Sequence, residues 1–256
     1  MSSKCLSVLC ENLRYSAPVL ASELLLSLEK AANSKRAIEL ERYFKTGVGE
    51  YAHGDIFLGI TVPTTRKLAR DYFDLTLPEL RKLMKSQFHE ARFSALVILV
   101  HKFKRANSHE EQEQIFDFYM AELRKGRINN WDLVDVSAPT IGAHLLDMRG
   151  ARTFLLAMAE DENLWIRRTS ILFTFASLKI GDRKPTLSIC TKLLGDDHDL
   201  IHKAVGWALR EVGKQSPTEL RAYLERNGRK MSRTTLRYAI EKFSISERMQ
   251  WLERTR

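Results

Sequence analysis

The sequence predicts an all-α chain folded as a superhelical solenoid of antiparallel helix pairs, and three observations carry that expectation. Apolar residues recur at helical spacing from Leu24 to the C-terminus, strand signals are nearly absent, and five strongly periodic segments are each preceded by another helical stretch. The strong segments span 90–103, 131–146, 165–178, 201–214 and 234–243.

Each element has a local reason. The segment 90–103 carries Arg92 near its start. Ahead of 131–146, Asn129 or Asn130 stands where a helix cap is wanted, and Asp132 and Asp135 fall in the first turn, where acid suits the helix dipole. Breaks separate the segments: Gly126 before Trp131, Gly150 after Leu146, Gly181 with Pro185 after Leu178, and Pro217 after Lys214. Basic positions recur at Arg92, Arg167, His202 or Lys203, and Arg237. With the Trp131 segment filling the gap, their period is about 35 to 40 residues, near that of HEAT-like repeats. Only the pattern repeats, not the letters, so an irregular helical bundle is the alternative. Stacked pairs curve, and one helix per repeat then faces a concave wall that suits a duplex.

Composition bounds the function. In 256 residues, 44% hydrophobic content supplies a sizeable core and argues against overall disorder. Lys and Arg outnumber Asp and Glu by 41 to 32, giving +9 and a pI near 9.5, which favours a polyanionic partner where the excess is clustered. Cys5, Cys10 and Cys190 make neither a CxxC pair nor an even disulfide framework, and read as free thiols in a reducing cytosol. The short apolar run in the first ten residues is interrupted by Lys4 and followed by Glu11 and Arg14, against a signal peptide, and no stretch approaches the roughly 20 apolar residues of a membrane span. The expectation is a soluble, cytoplasmic monomer with one repeat domain over 1–256.

The segment Ile128-Asn-Asn-Trp-Asp-Leu-Val-Asp135 sets Trp131 and Asp135 four residues apart, side by side on one helical face. A carboxylate on a surface suited to polyanions works against binding, so its candidate role is chemistry on nucleic acid. As a first-turn acid Asp135 needs no such role. Trp131, Val134, Asp135, Ala138 and Ile141 nevertheless share one stripe, which sets Asp135 among apolar neighbours while Asp132 points elsewhere. Trp207, in Lys203-Ala-Val-Gly-Trp-Ala-Leu-Arg210, reads alone as a core tryptophan over Gly206. Together, Trp131, Trp165 and Trp207 fall in consecutive repeat units beside basic residues, the aromatic and cationic mixture of nucleic-acid surfaces. Arg167 and Arg168 are adjacent on a helix and point about 100° apart, so one of them faces a groove. The Gly-rich stretch 47–54 is neither GxGxxG nor a P-loop. His198 and His202, beside Asp196, Asp197 and Asp199, lack a third ligand of clear spacing, so neither a nucleotide cofactor nor a metal is expected.

Five stretches carry a resemblance: Tyr43-Phe-Lys-Thr-Gly-Val-Gly-Glu-Tyr51, Phe57-Leu-Gly-Ile-Thr-Val-Pro63, Asn130-Trp-Asp-Leu-Val-Asp135, Trp165-Ile-Arg-Arg168 and Lys203-Ala-Val-Gly-Trp-Ala-Leu-Arg-Glu211. In order and spacing the chain resembles the AlkD-type DNA alkylation repair glycosylases over about 37–241. The resemblance implies a superhelix of HEAT-like repeats that grips double-stranded DNA in its concave face. It also implies removal of cationic alkylated purines such as 3-methyladenine and 7-methylguanine, without cofactor or metal. By motif, Asp135 is similar to the family's catalytic aspartate, Trp131 and Trp207 to its two groove tryptophans, and Arg168 to its DNA-facing arginine. Tyr51 falls opposite an N-terminal tyrosine near the lesion, although the loop before Phe57 departs in length. Lys203, Arg92 and Arg210 complete the expected DNA contacts. The family likeness further implies action on a base that stays largely stacked, hence tolerance of bulky cationic adducts and resistance of neutral lesions such as uracil.

Two other readings compete. A non-catalytic relative would bind branched or distorted DNA through the same basic groove, yet it gives no reason for an acid there. A protein-interaction scaffold would show flat salt dependence, whereas phosphate-driven binding weakens steeply as salt rises.

Overall fold

Hydroxyl and amide side chains start the helices. Asn33, Thr61, Thr76, Ser108, Asn130, Asn163, Ser216, Ser232 and Ser244 each accept a hydrogen bond from a backbone N–H at the start of the helix that follows, and so satisfy donors that a first turn leaves open. The computed structural model describes residues 19–255. Cys5 and Cys10, together with the apolar run around Lys4, lie outside the described residues, while Cys190 is a buried free thiol.

The helices are α1 (Ala21–Lys30), α2 (Ser34–Phe44), α3 (Val62–Arg70), α4 (Leu77–Met84), α5 (His89–Arg105), α6 (His109–Arg124), α7 (Trp131–Ile141), α8 (Ala151–Ala159), α9 (Leu164–Phe173), α10 (Phe175–Lys179), α11 (Lys184–Lys192), α12 (Asp199–Gln215), α13 (Pro217–Asn227), α14 (Arg233–Ala239) and α15 (Ile245–Arg254). Among the described residues there is no strand, only an isolated bridge between Ile56 and Phe88. From α3 onward the helices alternate between two rows. One row is α3, α5, α7, α9, α12 and α14, each packed on the next; α4, α6, α8, α11 and α13 back it. The chain is an all-helical solenoid, with Tyr119, Phe173, Leu96 and Leu99 among the fully buried side chains between the rows.

Three expected helices are shorter than their periodicity suggests. The segment 131–146 leaves α-geometry at Ile141 and continues as a 3₁₀ turn, Gly142–Leu146. Pro139 has no N–H for the Asp135 carbonyl. Gly142 lets the neighbouring backbone in close, since a Cβ there would sit 2.5 Å from the Phe173 carbonyl oxygen. The segment 165–178 divides at Thr174, whose hydroxyl donates back to Ile171 O at 2.6 Å and receives Thr186 Oγ1 at 3.0 Å. The last segment ends at Ala239 rather than at 243.

The front-row helices start in step, so equivalent positions repeat. The fourth residues of α5, α9 and α12 are Arg92, Arg167 and His202. Arg92 donates to Ser86 O and Gln87 O at 2.8 and 3.2 Å, Arg167 to Asp161 O and Glu162 O at 2.9 and 2.8 Å, and His202 contacts Asp196 O. At these three positions the basic side chain ties its helix to the loop before it. The fifth residues of α7, α9 and α12 are Asp135, Arg168 and Lys203, and these three face a common cleft.

Candidate active site

The cleft is a cavity of about 410 Å³ between α7, α9, α12 and α14 and the segment that follows α2. Asp135 lies at its wall. Arg168 holds this carboxylate with both prongs of its guanidinium, Nε to Oδ1 at 3.0 Å and Nη2 to Oδ2 at 2.9 Å. Its remaining prong, Nη1, donates to Leu200 O. The fork fixes the plane of the carboxylate as a single point charge would not. Burial pushes the Asp135 carboxyl above its ordinary value, Arg168 pulls it back, and the neighbouring Asp132 pushes it further up.

Trp131 opens α7 at the lip of the same cleft. Phe44 covers one face of the indole, with ring centres 5.2 Å apart and planes 12° from parallel, and Tyr43 meets it edge-on at 6.1 Å. Beneath Phe44 the column continues through Phe57 to His89, at 4.9 and 4.5 Å between successive centres. With one indole face covered, Trp131 meets the cleft through the other. Across from it, Trp207 is half-buried, edge-on to Phe175 at 4.9 Å, and its Nε1 donates to Glu211 at 3.1 Å.

The cations of the wall are Lys45, Arg168, Lys203 and Arg210, against the carboxylates Asp135 and Asp199. The balance is positive, which suits a polyanion. Lys203 pairs with Asp199 at 2.8 Å, which raises its pKa and lowers that of Asp199. Arg210 pairs with Glu241. Lys45 is exposed and has no carboxylate partner among the described residues. Tyr51 and Tyr238 close the lining. His198 caps α12 by accepting Leu200 N–H at Nδ1, 3.1 Å, and burial pulls its pKa down.

A buried polar cluster sets the start of α7. His89 N–H donates to Ile56 O at 2.8 Å, which brings Asp55 over the first turn of α5. The Asp55 carboxylate receives Arg92 Nη2 at 2.6 Å, Asn129 Nδ2 at 2.8 Å and Asn130 Nδ2 at 3.2 Å, and lies 3.2 Å from His89 Nδ1. Asn130 in turn caps α7 through Trp131 N–H at 2.8 Å. His89 Nε2 reaches Asp132 Oδ2 at 2.8 Å. Burial works against a charged His89, but Asp132 and Asp55 outweigh it and raise its pKa to about 9.

A sequence model of the DNA alkylation repair enzyme family matches residues 24–243. The chain belongs to that family. The fold is similar to a solved structure described as a predicted DNA alkylation repair enzyme from Enterococcus faecalis, with a TM-score of 0.64, 17% sequence identity, and 84% of this chain and 97% of that one covered. No curated protein matches the chain in sequence. As a DNA alkylation repair protein it has a role in the repair of alkylation damage, and DNA is its substrate. Among the described residues no helix is long and apolar enough to cross a membrane.

For this alkylation repair protein the structure places three side chains otherwise than the sequence-based expectation had them. Arg92 is 5% exposed, and its guanidinium is spent on Asp55 and two loop carbonyls rather than turned to the cleft. Arg168 turns toward Asp135 and Leu200 instead of holding out a phosphate-binding fork. Trp165 is a core residue that meets Tyr51 edge-on at 6.0 Å, not a groove aromatic. Asp135, Trp131, Trp207, Tyr51, Lys203 and Arg210 all border the cleft. Periodicity missed Tyr43, Lys45, Tyr238 and the cluster around Asp55 and His89. For Tyr43 and Lys45 a signal existed, since both stand in the first stretch of the family resemblance.

Proposed function

We propose that this protein is a DNA glycosylase that hydrolyses the N-glycosidic bond of cationic alkylated purines, such as 3-methyladenine and 7-methylguanine, in duplex DNA as a step of base-excision repair. The observation that carries this reading is the Asp135 carboxylate, held in one plane by Arg168 on the wall of a cationic cleft beside Trp131.

Alkylation at N3 or N7 gives the purine a positive charge. As its bond to C1′ breaks, the bonding electrons neutralise the departing base, which therefore needs little help from an acid. Charge develops instead on the sugar as an oxocarbenium-like centre. The Asp135 carboxylate stabilises that centre or takes the proton of the water that adds to C1′. Either role requires Asp135 to be ionised. The open face of Trp131 and the indole of Trp207 attract the cationic nucleotide, by about 0.5 to 2 kcal/mol each. Lys45 and Lys203 take the flanking phosphates, the work sequence reading gave to Arg168. Recognition by charge and backbone extends to bulky adducts that leave the base cationic, and excludes uracil.

The test is release of free base from methylated duplex DNA by the wild type and by Asp135→Asn. The expected result is release by the wild type and a loss of about 100-fold or more in the variant, with DNA binding kept or tightened because a charge that repels phosphate is gone. Salt-sensitive DNA binding without release by either protein would refute the glycosylase and leave a non-catalytic binder of distorted DNA.

A further inference from the structure

Asp132 stands on the first turn of α7, three residues before Asp135, with its side chain 12% exposed. Its Oδ2 has His89 as partner, and its Oδ1 has none. Compensation of this charge therefore rests on one imidazole. Both nitrogens of that ring face carboxylate oxygens, Asp132 at 2.8 Å and Asp55 at 3.2 Å. A neutral imidazole has one N–H and would aim a lone pair at one of the two anions, so the geometry requires the doubly protonated ring. The other charged groups here are already committed. Arg92 holds Asp55, and Glu90, next along α5, accepts the backbone N–H groups of Leu58, Gly59 and Ile60.

We infer that His89 is a positioning residue for Asp135: its imidazolium, clamped between Asp55 and Asp132, cancels the charge of Asp132 and pins the start of the helix that carries Trp131 and Asp135. This rests on the reading of Asp135 as the reactive carboxylate. Residues three apart on a helix have side chains about 5 to 6 Å from one another at Cβ. At that range an uncompensated carboxylate raises the pKa of its neighbour by about one unit or more. The groups that face Asp135 are Arg168 from α9, Asp132 from its own helix and Tyr119 from α6, whose phenol feels the Asp135 charge. Of these, Arg168 is the only cation, and it is already bound to Asp135. His89 thus governs the pH at which Asp135 becomes ionised, with no contact to substrate.

The test follows the Asp135 side-chain carboxyl by carbon-13 NMR across pH in the DNA-free protein, for the wild type, His89→Gln and the double variant His89→Gln with Asp132→Asn. Glutamine keeps one donor and removes the charge. The Asp135 midpoint should rise by about one pH unit in His89→Gln and return in the double variant, and the acid limb of base release should move with it. An unmoved midpoint overturns the inference whatever the enzyme acts on. A midpoint that moves while the wild type releases no base overturns the glycosylase reading and keeps the coupling. Should His89→Gln fail to fold, nitrogen-15 shifts of the wild-type imidazole decide the matter: a neutral tautomer at pH 7 overturns the inference.

Discussion

Replacing Arg168 by Ala removes both prongs of the fork on Asp135 and leaves that carboxylate without a counter-charge. Breaking a buried ion pair by deleting one partner costs about 3 to 5 kcal/mol, mostly the price of stranding the other charge. The Arg168 side chain is 5% exposed and that of Asp135 is 21% exposed. Water can therefore reach one side of the stranded carboxylate, which places the cost near the low end, about 3 kcal/mol. For a chain of this size that is a fall in Tm of about 6 to 12 °C. The assay is a double-mutant cycle by denaturant unfolding, with Arg168→Ala, Asp135→Asn and the double variant. A coupling energy of about 2 to 3 kcal/mol is expected, because the double variant strands no charge. Arg168→Ala should also shift the acid limb of base release to higher pH, since loss of a cation raises a carboxyl pKa. A coupling below about 0.5 kcal/mol would show a pair no stronger than an exposed one, and the account of Asp135 as a tightly held carboxylate would fail.

Three further outcomes are expected. His89, raised from 6.5 to about 9, contributes stability that is fully present below pH 6.5 and is lost as pH rises through 9, about 3 kcal/mol in all; denaturant midpoints from pH 6 to 10 should fall for the wild type and stay flatter for His89→Gln. Lys45→Ala should lower the slope of log affinity for DNA against log salt by about 1 while Arg92→Ala leaves it unchanged, and equal slopes for the two variants would place the phosphate track elsewhere. A Cβ at Gly206 would lie 2.4 Å from Tyr238 Cβ and 2.7 Å from Thr235 O, so Gly206→Ala should force α12 and α14 apart at a cost of about 1 to 3 kcal/mol, read as a lower denaturant midpoint.

Much of this was legible before folding. A spacing of four put Trp131 and Asp135 on one face, and both border the cleft. Arg92 shows the limit of the same reasoning. The basic period is real, but a position in a repeat does not tell whether its side chain turns outward to a ligand or back to the carbonyls of its own loop. Arg167 and Arg168 divide on that point, one tying a loop and the other reaching the cleft wall. Tyr43 and Lys45 escaped the periodicity for another reason: they flank the one buried anchor of α2, Phe44, whose ring stacks on Trp131.

The sequence by itself determined the helical class and the paired order of the helices, because apolar spacing acts over a few residues. It also determined the family, because five short motifs keep their order and spacing. Tertiary structure alone decided which charges meet. Asp135 and Arg168 are 33 residues apart, and His89 and Asp132 are 43 apart. Contacts of that range depend on how the helices stack in register, and it is the stack that sets the Arg168 guanidinium on the Asp135 carboxylate.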